Sequence, residues 1–190
     1  MARKNTSSAI IDNILRLVAA GSFVAAGLLL PGLVVALDKP LQKYLNRLDK
    51  RSRERELRRI VGYMKTQRLV GGSYQHGLQI TDKGRERLKQ SDFESLKIRK
   101  PAKWDKNWRL VFFDIPESQK TGRDHLTAKL RRLGFYQMQR SVWIHPFPCR
   151  EIIESVCDMY SVDQYVTYVE TGYIDNQKEL IKKFESLLTS

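Results

Sequence analysis

Cysteine and histidine are scarce in this chain: two Cys and three His in 190 residues. Cys149 and Cys157 stand eight apart in a segment of helical pattern, about 12 Å along a helix axis, so they cannot bridge each other. That excludes a disulfide framework, and no Cys/His spacing suits zinc, so a reducing, cytoplasmic setting is expected. A catalytic histidine, a nucleophile constellation and a second acidic cluster are also missing. His125, in a charged helical pattern, and His145, just before Pro146, read as incidental to function.

Acidic residues are thin in the first half. Residues 1–105 hold 22 of the 34 Lys and Arg but 10 of the 21 Asp and Glu, a net of +12 out of +13. The remaining residues are nearly neutral. The partner is therefore expected to be a polyanion, nucleic acid or an anionic membrane surface, met by the first half.

Charge is wholly absent from Leu17 to Leu37, LVAAGSFVAAGLLLPGLVVAL, a length that crosses a bilayer as one helix. Arg3, Lys4 and Arg16 precede it and Lys39, Lys43, Arg47 and Lys50 follow, so a membrane anchor through residues 17–37 is one reading. The other is a pair of buried helices, because Gly21-Ser22, Gly27 and Pro31-Gly32 interrupt the run. Ile10, Ile11, Ile14, Leu15 and Val18 extend an amphipathic helix upstream of it.

Beyond Pro40, Leu41, Leu45 and Leu48, then Leu57, Ile60, Val61 and Met64, recur at helical spacing. Between and opposite them stand Arg51, Arg53, Arg55, Arg58, Arg59 and Lys65, with only Glu54 and Glu56 against them. Guanidinium groups pair with phosphate oxygens and guanine edges through two hydrogen bonds at once. Arg68-Leu69-Val70, a Gly71-Gly72 break, a tip with Tyr74 and His76, and Leu78-Gln79-Ile80 form a hairpin. Thr81 then caps a helix carrying Lys83, Arg85, Arg87 and Lys89. Helix, hairpin, helix is the order of a winged helix, whose basic helix enters a DNA groove while the wing lies along the backbone. The nucleic-acid-binding set is Arg51, Arg53, Arg55, Arg58, Arg59, Lys65, Arg68, Tyr74 and His76, with double-stranded DNA as partner and no cofactor required.

Lys97 to Lys103 is basic and broken by Pro101, which divides the chain into a domain at 1–96, a linker at 97–105 and a domain at 106–190. Trp108–Ile115 reads as a strand, and a helix follows with Leu126, Leu130 and Leu133 inward and Gly134 as its cap. Two short strands flank Gln139-Arg140-Ser141. A helix with Ile152, Ile153, Val156 and Met159, a strand at Tyr165–Thr171 and a last helix with Leu180, Ile181, Phe184 and Leu187 inward complete the chain. The order βαββαβ predicts an α+β protein: a winged-helix-like first domain and a ferredoxin-like second one, with one sheet face under two helices and the other free to pair with a second copy.

The run WRLVFFDIPE from Trp108 to Glu117, then Leu133-Gly134-Phe135, then QRSVWI from Gln139 to Ile144, resembles two related families over residues 104 to about 172. These are the PaaX transcriptional repressors and the CRISPR-associated protein two family. An upstream winged-helix pattern favours the first, which implies a dimeric DNA-binding regulator whose ferredoxin-like domain joins two chains. The second implies a spacer integrase as partner and a metal-dependent nuclease in which Asp114, ending the first strand, is the Mg²⁺ ligand and catalytic residue. Asp114 capping the turn into the next helix is the structural alternative.

Overall fold

A computed structural model describes residues 2–20, 39–73 and 77–189. They form an α+β chain of two units, one ending at Ser95 and the other starting at Leu96. The stretch 21–37 of the apolar run, and the tip residues Tyr74 and His76, lie outside the described residues. No helix among the described residues is long and apolar enough to cross a membrane.

The first unit is built on amphipathic helices. In α1 (Ala2–Ala19) Ile10, Ile11, Ile14, Leu15 and Val18 are buried, as their spacing requires. They join Leu45 of α2 (Lys39–Asn46) and Leu57, Ile60, Val61 and Met64 of α3 (Lys50–Thr66) in one core. The Asp49 carboxylate starts α3 by accepting from the Ser52 amide at 3.0 Å, and hydrogen bonding from Ser52, from its side chain first and then its amide, holds the Asp49 pKa below the usual value.

At the other end of α3 the chain turns through Arg68 in the left-handed region (φ 56°), with the amides of Arg68 and Leu69 donating back to the carbonyls of Lys65 and Met64. The hairpin follows as β1 (Val70–Ser73) and β2 (Gly77–Ile80), paired Val70 to Ile80. Gly71 and Gly72 therefore belong to the first strand and do not break it, since a strand edge tolerates residues without side chains. Thr81 caps α4 (Asp82–Glu94), accepting from the Gly84 amide at 3.1 Å.

The second unit runs β3 (Trp108–Phe113), a short 3₁₀ turn at Glu117–Gln119, α5 (Lys120–Arg132), β4 (Tyr136–Gln139), β5 (Val142–His145), α6 (Arg150–Tyr160), β6 (Val166–Thr171), α7 (Gln177–Lys183) and α8 (Glu185–Leu188). All neighbours in the sheet are antiparallel in the order β4-β5-β3-β6. Two crossover helices feeding strands on opposite sides of β3 make this the ferredoxin-like arrangement. Gly134 ends α5 at φ 87°, the left-handed cap its position in the sequence suggests.

Alternation along β3 sends Arg109, Val111 and Phe113 to one face and Trp108, Leu110 and Phe112 to the other. The first face is buried along with Leu126 and Leu130 of α5 and Ile153 and Val156 of α6. The second is only partly free. Leu180 and Phe184 from α7 and its end pack with Trp108 and Ile144, and Leu187 and Leu188 join them. The terminal helices thus cover one end of the face that sequence reasoning left open, because an exposed Trp108 is a large apolar cost.

Two inward assignments are corrected: Met159 and Ile181 are exposed. Trp104 donates to the Pro146 carbonyl, and Asp105 pairs with Arg109. In α6 the buried stripe closes with Cys157, two residues before Met159, and α7 is too short for a second inward row beside Leu180 and Phe184.

Candidate nucleic-acid interface

On α3, at 100° per residue, the buried stripe Leu57, Ile60, Val61, Met64 faces the core, and the opposite side carries Arg51, Arg55, Arg58 and Arg59. All four are exposed. The eight-residue α2, the three-residue turn at 47–49 and α3 form a helix-turn-helix, and the β1–β2 hairpin follows directly.

The sequence-derived residues differ in how free they are. Among the described residues, Arg51, Arg58 and Arg68 make no side-chain hydrogen bond or ion pair, while Arg55 donates to the Ser52 hydroxyl at 3.2 Å. Arg59 grips Glu56 through two bonds of 2.9 and 2.8 Å, which raise its pKa. Lys65 is half-buried. Tyr74 and His76 fall outside the described residues.

Arg53 faces inward. Its guanidinium donates to the Leu45 carbonyl at 3.0 Å and the Leu48 carbonyl at 3.2 Å, satisfying acceptors that the end of α2 leaves open. A fork already holding two carbonyls has less capacity left for phosphate than the free guanidinium groups of Arg51 and Arg58. Arg87 on α4 is likewise internal, since its Nε donates to Asp12 at 3.0 Å and its terminal nitrogen to Ser8.

In the second unit Asp114 lies just past β3, exposed, with its amide donating to the Tyr165 carbonyl at 3.1 Å. Its carboxylate does not cap the 3₁₀ turn that follows, whose N-cap residue is Pro116 with no side-chain cap. It opens into a polar cavity of about 650 Å³ lined also by Glu117, Lys120, Arg123, Arg131 and Arg140. Glu117 is held by Arg123 at 2.9 Å and Lys120 at 4.0 Å, and Arg123 first of all lowers its pKa. Among the described residues no group of three His, Cys, Asp or Glu is placed to hold a metal. Asp114 shares this cavity with the carboxylates of Glu117 and Asp124 and with four cations, Lys120, Arg123, Arg131 and Arg140.

Sequence reasoning did not single out Arg109. It is buried beneath the sheet, ion-paired with Asp105 and, at 3.6 Å, with Glu170, and it donates to the carbonyls of Asn107 and Pro146. Arg109 pulls the Asp105 carboxyl down to about 2. An arginine inside an apolar strand run is the signal that could have marked it, since such a charge needs paired partners. His145 is buried against Phe135, Phe147 and Phe184 with its Nδ1 accepting the Phe147 amide at 3.1 Å, and burial depresses its pKa to about 4. It is a neutral core histidine.

The second unit is thus an antiparallel α+β domain of ferredoxin-like order. Residues 101–181 match the family model of the PaaX protein central Cas2-like domain. The resemblance read from WRLVFFDIPE onward is a resemblance to that domain. Among solved structures, the uncharacterized protein Rv0674 from Mycobacterium tuberculosis aligns with 96% of this chain at 15% identity and a TM-score of 0.42. The chain covers 66% of that protein's length, just under two thirds. No curated protein matches the sequence.

Proposed function

We propose that the chain is a DNA-binding transcriptional regulator of PaaX-like type that acts as a dimer. The observation that carries this is the exposed arginine row on α3, set opposite the core of a helix-turn-helix and followed by a hairpin. Such a helix enters the major groove, where Arg55 and Arg58 meet phosphates or guanine edges, and the hairpin serves as a wing along the backbone. The PaaX-type domain at 101–181 supports the same reading at the level of the family.

Dimerisation rests on the part of the sheet face that α7 and α8 leave bare. Phe112 and Val169 are exposed there at 38% and 37%, and Leu110 lies between them in register with Val169. A second copy covering this strip brings two α3 helices under one symmetry and fixes the spacing of DNA half-sites.

The test is capture of chromosomal fragments by the full chain at physiological salt, followed by incubation of the complex with Mg²⁺. Retained, intact duplex is the expected result. Cleaved fragments whose production stops in Asp114→Ala favour a nuclease, and no retention at all removes the regulator.

A further inference from the structure

Gly62 sits within α3, four residues before its end, and neither the helix nor the core needs a glycine there. Its φ is not in the left-handed region, and a Cβ built on it meets nothing within 4 Å. Glycine is the poorest helix former after proline, so the position carries a cost that packing does not explain. At 100° per residue it falls on the side opposite Leu57, Ile60, Val61 and Met64, about 30° from the middle of that side. Arg55, Arg58 and Arg59 lie on the turns before it and Thr66 on the turn after. The row of guanidinium groups therefore borders a notch where backbone without a side chain is partly exposed.

Arg68 supplies a second, independent observation. It occupies the left-handed cap of α3 at φ 56°, where glycine or asparagine is the comfortable choice. One position thus has no side chain where a side chain would stabilise the helix, and the other keeps a long cation where none is favoured. Both departures lie toward the C-terminal end of one helix, Arg68 exposed just past it, and contact with something outside the chain would account for both.

We propose that Gly62 is the point of closest approach between α3 and bound duplex DNA: the duplex seats against the backbone in the notch while Arg55, Arg58 and Arg68 hold phosphates around it. The inference rests on the DNA-binding reading above and makes Gly62 a positioning residue for it. Glycine is used in this way wherever a chain must come close to a ligand.

Gly62→Ala and Gly62→Leu in the full chain, titrated with a fluorescein-labelled mixed-sequence duplex over a range of salt, test this beside Arg58→Ala. Both glycine variants are expected to melt a few degrees higher, because the added side chain meets open space and favours helix. They are expected to bind about ten-fold or more weakly, Leu worse than Ala, with the slope of affinity against salt unchanged because no cation is lost. Arg58→Ala should show the converse, a flatter slope. Glycine variants that are stabilised yet bind like the parent, while Arg58→Ala weakens, overturn the notch and leave the DNA-binding reading standing. Variants that melt lower overturn it too, since the fold itself would then require glycine. If the parent and all three variants bind equally weakly, the reading and the inference fall together.

Discussion

Asp12 on α1 and Arg87 on α4 are 75 residues apart and joined at 3.0 Å, with the second carboxylate oxygen of Asp12 accepting from the Ser91 hydroxyl at 2.8 Å. Beside them Arg16 pairs with Asp92. The polar edge of the first unit is therefore latched between its first and last described helices. Replacing Asp12 with Ala leaves a half-buried guanidinium and a hydroxyl without their acceptor, at a cost of about 2 kcal/mol. A urea midpoint lowered accordingly is the expected readout, with Arg16→Ala, in a more exposed pair, costing well under half as much.

Arg53 and Arg58 sit five residues apart on the same helix and should behave as opposites. Arg53→Ala removes two hydrogen bonds to the end of α2 and is expected to destabilise by about 1–2 kcal/mol. Arg58→Ala removes no hydrogen bond or ion pair among the described residues and should leave stability within about 0.5 kcal/mol while weakening DNA binding. Thermal melts and binding titrations on the two variants separate them; equal loss of stability would contradict the assignment.

At Arg68 the two properties should trade against each other. Arg68→Gly relieves a left-handed residue and is expected to stabilise by about 1 kcal/mol, yet to bind duplex DNA more weakly. A variant that gains neither stability nor loses affinity argues against both the strain and the contact.

Legibility in the sequence followed the range of the interaction. Periodicity exposed α1, α3 and α5 because an amphipathic stripe is written locally, and Thr81 and Gly134 could be read as caps for the same reason. Arg53 and Arg87 looked like surface charge, since the carbonyls of Leu45 and Leu48 and the carboxylate of Asp12 are brought to them only by folding. The cover that α7 and α8 put on Trp108 was hidden likewise: a ferredoxin-like order says nothing of what a trailing segment does. Asp114 was singled out by family pattern alone, and the cations gathered around Glu117 could not be seen from spacing.

Acid should weaken the second unit in two stages. His145 is held neutral when folded, with its pKa depressed from 6.5 to about 4, so the unfolded chain binds the extra proton first. Its stabilising contribution is complete above about pH 6.5 and is lost as pH falls from there toward 4; a shift of that size corresponds to about 3 kcal/mol. Asp105, lowered from 3.8 to about 2 by Arg109, loses its contribution between those values. Melting temperature against pH should fall in the upper window for the parent and much less for His145→Gln. A parent curve flat from pH 6.5 to 4 would contradict the buried neutral imidazole.

Phe112→Glu places a charge in the bare strip of the sheet without disturbing the face under α5 and α6. Sedimentation is expected to show a dimer for the parent and a monomer of the same fold for the variant, with weaker DNA binding because two half-sites are no longer held together. A parent that is monomeric at every concentration would remove the dimer.

The most direct test of the account is the salt dependence of binding to duplex DNA, parent against Arg55→Ala/Arg58→Ala/Arg59→Ala. Each phosphate contact contributes about 0.9 to the slope of log affinity against log salt, and Arg59 is partly engaged by Glu56, so the triple variant should lose about two units of slope along with affinity. An unchanged slope would place the polyanion elsewhere on the chain and contradict the interface on α3.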